Sequence, residues 1–176
     1  MAGTSEHAKR PVSALLAGPY GHPIHPILVT VPIGAWVCSL VFDLGSHATG
    51  EPRVLAAGSQ WLIAIGVVGA LAAAMVGFLD LFAIPTATPA FRTGLVHMGL
   101  NLAVTAAYAG NLAWRLAAGQ PVDGVPVGPL VLSVASLVAL AVSGYLGGKL
   151  AYRYGVRVAA ESAQAEGFTR TPAHRR

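Results

Sequence analysis

Four mostly apolar stretches, at about 26–46, 60–84, 94–117 and 126–150, constrain this chain more than any other feature. Each reaches or approaches the ~20 residues that a helix needs to cross ~30 Å of hydrocarbon. Composition agrees: 55% of residues are hydrophobic and 10% charged, where a soluble domain carries about 25% charged. The expected fold is an all-α membrane protein, an up-down-up-down bundle of four transmembrane helices, because short connections make sequence neighbours antiparallel neighbours.

Several classes fall away at once. Disorder needs low hydrophobicity, so it is confined to the ends. Cys38 is the single cysteine, which excludes an internal disulfide framework, a CxxC pair and cysteine-ligated zinc or iron-sulfur centres. The net charge of +4 is no nucleic-acid signature, since Lys149, Arg153, Arg157, Arg170, Arg175 and Arg176 all follow the last apolar stretch. They read as a membrane-orienting tail. With Lys9, Arg10 and Arg92 they set nine cations on one side, against Arg53 and Arg115 on the other. Both termini are therefore expected in the cytoplasm. Val12–Leu16 is too short an apolar run for a signal peptide. The domain reading is a cytoplasmic tail over 1–19, one transmembrane domain over 20–158, and a basic disordered tail over 159–176.

Within the spans, Pro32 is expected to bend the first helix. Gly69, Ala73 and Gly77 recur every four residues in the second, which lets backbones approach, and Asp80 continues that stripe toward protein. In the third, His97, Asn101, Thr105 and Tyr108 lie at offsets that keep them on one narrow face, the expected bundle interior. Ser133, Ser136 and Ser143 read as a packing face without a nucleophile elbow, which argues against a hydrolase. Trp36, Trp61 and Trp114 carry no assigned chemistry.

Depth along the helices gathers His25, Asp80, His97 and Tyr145 at the cytoplasmic end, and ionisable groups at membrane depth are functional candidates by default. Each residue before a proline is pushed off the helical region, so His22 and His25 are expected on a stiff extended arm, with His25 as N-cap of the first span. Plainer uses stand beside these: His22 as an interfacial side chain, and Asp80 as a helix fastener paired with a cation such as Arg92. Asp43 and His47 lie ~27 Å from His25 along the first helix and form a separate polar cluster of unassigned role.

The run Gly21-His22-Pro23-Ile24-His25-Pro26, with Leu28-Val29, Pro32-Ile33-Gly34, Phe42-Asp43, Gly77-Phe78-Leu79-Asp80, His97-Met98-Gly99-Leu100-Asn101 and Ser143 through Leu150 plus Gly155-Val156, resembles a bacterial membrane family, domain of unknown function 2231. The likeness spans roughly 20–158. It implies four membrane helices and no established activity. Some relatives carry a Rieske-type iron-sulfur domain, which implies work beside an electron-transfer chain. With only Cys38 in this chain, such a redox partner is expected as a separate protein.

Three functions compete. A b-type haem needs two imidazoles on opposite faces of one iron, supplied by His25 and His97. Gly34, Gly94 and Gly99 would make room for it, and Arg92, Lys149 or Arg153 would meet its propionates. A divalent zinc, iron or copper site would draw on His22, His25, Asp80 and His97, with Asn101 and Tyr145 supporting them from behind. If such a site passes ions, the stripe from His97 through Tyr108 and Asn111 to Arg115 is the route, although a cationic mouth opposes cations. The third is a structural membrane anchor or partner subunit without cofactor. Expected partners are the bilayer, a redox protein and further copies of the chain.

Overall fold

The computed structural model describes residues 8–10 and 21–168; Val12–Leu16 lies outside them. The elements are α1 (His25–Leu28), α2 (Thr30–Ala48), α3 (Pro52–Leu81), α4 (Pro89–Ala118), α5 (Val127–Gly148), a π-helical turn (Lys149–Arg153) and α6 (Glu161–Glu166). Among the described residues, three stretches are long and apolar enough to cross a membrane: His25–Ala48, Pro52–Leu81 and Val127–Arg153. The α4 helix is as long as α3, at 30 residues, but its polar stripe makes it less apolar.

Local chemistry explains most boundaries. Pro32 has no N–H and its ring crowds the carbonyl of Leu28, so the ladder breaks one turn upstream, at Val29, between α1 and α2. Helix α3 starts at Pro52, eight residues before the apolar stretch becomes obvious, because proline is pre-set for the first turn. Helix α4 likewise starts at Pro89, with Thr88 as N-cap: its Oγ1 accepts from the Phe91 N–H at 3.1 Å. Of the expected tail over 159–176, the structure describes residues up to 168, among which Glu161–Glu166 winds a short helix.

Packing is inverted relative to a soluble bundle. Valines, leucines and Trp61 lie on the outside, whereas Ser39, Asp43, Ser59, Asn111, Arg115 and Ser133 are buried. Helix α2 packs on α3, α3 on α4, α4 on α5, and α2 touches α5. The beginning of α2 lies beside the end of α3, where Val31 fills the notch left by Gly69. The end of α2 lies beside the beginning of α3, where Ser59 Oγ donates to the Ser39 carbonyl at 3.1 Å.

At mid-height the Trp36 indole stacks on the Tyr108 ring, centroids 4.2 Å apart and planes 9° apart. Gly66 is required there, because a Cβ would overlap the indole. Trp36 Nε1–H donates to the Ile63 carbonyl at 3.4 Å and Tyr108 O–H to the Ser133 carbonyl at 3.2 Å, so both polar tips are satisfied. Trp36 is therefore a core residue at 1% exposure, unlike Trp61 and Trp114, which face outward at 73% and 52%.

Candidate functional site

His25 is the first residue of α1, with Ile24 at the N-cap, so it stands on helical rather than extended backbone. The bias against helix before proline is overcome by a tertiary bond: His25 Nδ1–H donates to the Ala73 carbonyl at 2.9 Å. The ring lies where a Cβ on Gly77 would be, 2.8 Å from Cε1, so the small-residue stripe of α3 seats an imidazole as well as a helix.

His97 on α4 makes the equivalent contact with α5. Its Nδ1–H is shared between the Ser143 carbonyl at 2.8 Å and the Ser143 hydroxyl at 3.0 Å, while that hydroxyl donates to the His97 carbonyl at 3.2 Å. Gly147 leaves room for this ring, as Gly77 does for the other. The two imidazoles are neighbours in a T-shaped arrangement, centroids 6.4 Å apart and planes at 83°. In each neutral ring a donating Nδ1 leaves Nε2 with a lone pair. Asn101 Nδ2 lies 3.1 Å from His97 Nε2 and also donates to the His97 carbonyl at 3.0 Å.

The other expected site residues are distributed differently. Asp80 pairs with Arg157, Nε to Oδ1 at 3.1 Å, rather than with Arg92, which is exposed on α4. Arg157 is consequently no member of an orienting tail: its side chain is 6% exposed and its N–H donates to the Ala8 carbonyl at 2.9 Å. His22 is half-buried on the non-helical approach to α1, after Gly21 at φ 80°. Tyr145 is 73% exposed and borders a surface depression with Lys149, Tyr152 and Arg153. It sits two residues, ~200° of turn, beyond the buried Ser143, so the serine face already pointed Tyr145 outward. Among the described residues no three of His, Cys, Asp and Glu are grouped to hold a metal ion. Of the four residues considered for a metal, the structure thus pairs His25 with His97 and commits Asp80 to Arg157. Of the glycines considered as space for a macrocycle, Gly94 is filled by Leu81, whereas Gly34 and Gly99 face open space.

At the other end of the helices lies a network that the sequence reading missed. Arg115 donates to both oxygens of Asp43, Nη1 to Oδ1 at 2.7 Å and Nη2 to Oδ2 at 2.6 Å, with the side chains 4% and 0% exposed. Nε donates to Asn111 Oδ1 at 2.8 Å, Nη1 to Ser59 Oγ at 3.1 Å and Nη2 to Ser133 Oγ at 3.2 Å. All five guanidinium donors have acceptors, and the acceptors come from α2, α3, α4 and α5. The signal was available: Asp43 is the only carboxylate in the first span and Arg115 the only cation near the end of the third. His47 belongs elsewhere, with Nε2–H donating to the Val125 carbonyl at 3.0 Å and holding the α4–α5 connection. The proposed ion route is occupied by its own bonds, since Thr105, Tyr108, Asn111 and Arg115 each donate to a protein acceptor.

Fold and site together define an all-helical integral membrane protein with a polar interior and a pair of neighbouring histidines. The sequence matches the predicted membrane protein family DUF2231 over residues 21–160, and the chain belongs to that family. No curated protein and no solved structure matches it.

Proposed function

We propose that this protein is a four-span, up-down-up-down module of the bacterial inner membrane, with cytoplasmic termini, that holds a b-type haem between His25 and His97 beside an electron-transfer chain. The observation that carries this reading is the ring separation of 6.4 Å. Two metal–nitrogen bonds of ~2 Å, plus about 1 Å from each nitrogen to its ring centre, put imidazoles on opposite sides of one metal ~6 Å apart.

The donor set favours haem over a bare ion. Zinc, iron or copper held by protein alone draws on three or four ligands, and the described residues group no third His, Cys, Asp or Glu with the pair. A macrocycle brings four nitrogens of its own and needs only the two axial imidazoles. Both Nδ1–H groups are tied to backbone carbonyls, the arrangement by which metal-binding histidines are oriented and made more basic at Nε2. His25 and His97 would be the axial ligands, with Asn101 giving up its contact with Nε2. A haem so held supplies reversible one-electron transfer.

The fourth span is α4, whose polar side is turned to its neighbours while Leu95, Val96, Leu102 and Leu116 face outward. Orientation follows from the cations left once the buried Arg157 and Arg115 are set aside, eight on the side of the termini against Arg53 on the other. A redox difference spectrum of protein expressed with ample haem tests the reading: a Soret band lost in both His25→Ala and His97→Ala supports it. No band in the unmodified chain overturns it and leaves the structural-anchor reading, which the fully bonded Arg115 network favours.

A further inference from the structure

Two buried arginines have opposite accounts. Arg115 has an acceptor for every donor, whereas the buried side-chain nitrogens without a hydrogen-bond partner among the described residues are Nε and Nη1 of Arg157. Its Nε stands 3.1 Å from Asp80 Oδ1 but out of line, so Asp80 offers charge without absorbing the hydrogens. Buried donors left without acceptors are costly, and this one is held in place deliberately. The chain turns at Gly155 (φ 68°) and at Arg157 itself (φ 58°), a left-handed backbone that non-glycine residues avoid. The Arg157 N–H is fixed to the Ala8 carbonyl.

Through Asp80 the guanidinium is tied to the helix that seats one of the histidines. Asp80 follows Gly77 by three residues, ~4.5 Å along α3, and Gly77 is the seat of the His25 ring. A buried cation with unused N–H groups, held about one helical turn from the seat of His25, is suited to receive an anionic group of whatever the two imidazoles hold. We infer that Arg157 anchors a carboxylate, one propionate of the haem carried by His25 and His97. This rests on the haem reading above. It replaces Arg92 in that role, because Arg92 is exposed on α4.

The test compares haem with its dimethyl ester, which keeps the iron and the ring but has no carboxylate charge. Titration of the purified full chain, followed by the Soret shift, should show the free acid bound about tenfold or more tighter, the size of a charge-assisted bond. Arg157→Gln should bind both forms alike, and Arg157→Lys should recover part of the preference. A wild-type chain that does not distinguish the two porphyrins overturns the assignment without needing any variant to fold. So does a preference that survives in Arg157→Gln. Either outcome leaves the histidine ligands standing, whereas failure of both porphyrins to bind the wild-type chain overturns the haem reading and this inference together.

Discussion

Replacing Asp43 with alanine should destabilise this protein more than most single changes outside its aromatic core. The substitution removes the 2.6 and 2.7 Å bonds and leaves the Arg115 guanidinium 4% exposed, with only Asn111, Ser59 and Ser133 as neutral acceptors. Orphaning one partner of a buried pair costs about 3–5 kcal/mol, because the remaining charge cannot regain water. At ~1.4 kcal/mol per decade, that lowers the folded-to-unfolded ratio by ~10²–10⁴. Arg115→Met should cost a similar amount, since Asp43 is fully buried. The double variant Asp43→Leu/Arg115→Met removes both charges and should recover most of the loss, as apolar replacements of buried pairs commonly do. The assay is reversible unfolding in mixed micelles with increasing SDS, followed by far-ultraviolet circular dichroism. Single variants within about 1 kcal/mol of wild type, or a double variant as poor as the sum of the singles, would refute the argument that an uncompensated charge is the dominant loss. Because His25 lies ~27 Å from Asp43 along the helix, the double variant should keep any haem spectrum unchanged.

Further outcomes follow from the same contacts. Gly77→Leu should displace the His25 ring and abolish the Soret band, whereas Gly34→Ala and Gly99→Ala, which meet nothing within 4 Å, should leave the spectrum as it is. Asn101→Ala should retain the band if His97 Nε2 is a metal ligand, and a lost band would show that the amide is needed in place. Trp36→Ala should cost about 3–5 kcal/mol in the same SDS assay and remove the near-ultraviolet signal of the stack with Tyr108. Thr88→Ala, which deletes the cap on α4, should cost about 1 kcal/mol, and no measurable change would count against the bond to the Phe91 N–H.

Much of the candidate site was legible because depth is a local quantity. A residue's count along a helix fixes its height at ~1.5 Å per step, so His25 and His97 could be assigned to one end before any packing was known. Azimuth is partly local too: Tyr108 and the serines of α5 are buried and His97, Asn101 and Thr105 half-buried, on the faces that their periodicity assigns. Tyr145 was misjudged by height alone, against the rotation that Ser143 already implied. The interruption near Pro32 and the starts at Pro52 and Pro89 are likewise set by missing N–H groups and preset φ.

What the amino-acid order determined by itself is therefore the helices, their apolar outward faces and the level of each polar group, since all of these follow from hydropathy and a repeat of 3.6 residues. The tertiary structure alone decided which groups meet. Asp43 and Arg115 are 72 residues apart, and Arg157 reaches Asp80 only because the chain folds back after the π-helical turn. Height and azimuth leave a side chain facing several neighbours. Helix separation and rotation choose among them, and those depend on where Gly66, Gly69 and Gly77 let Trp36, Val31 and His25 come close.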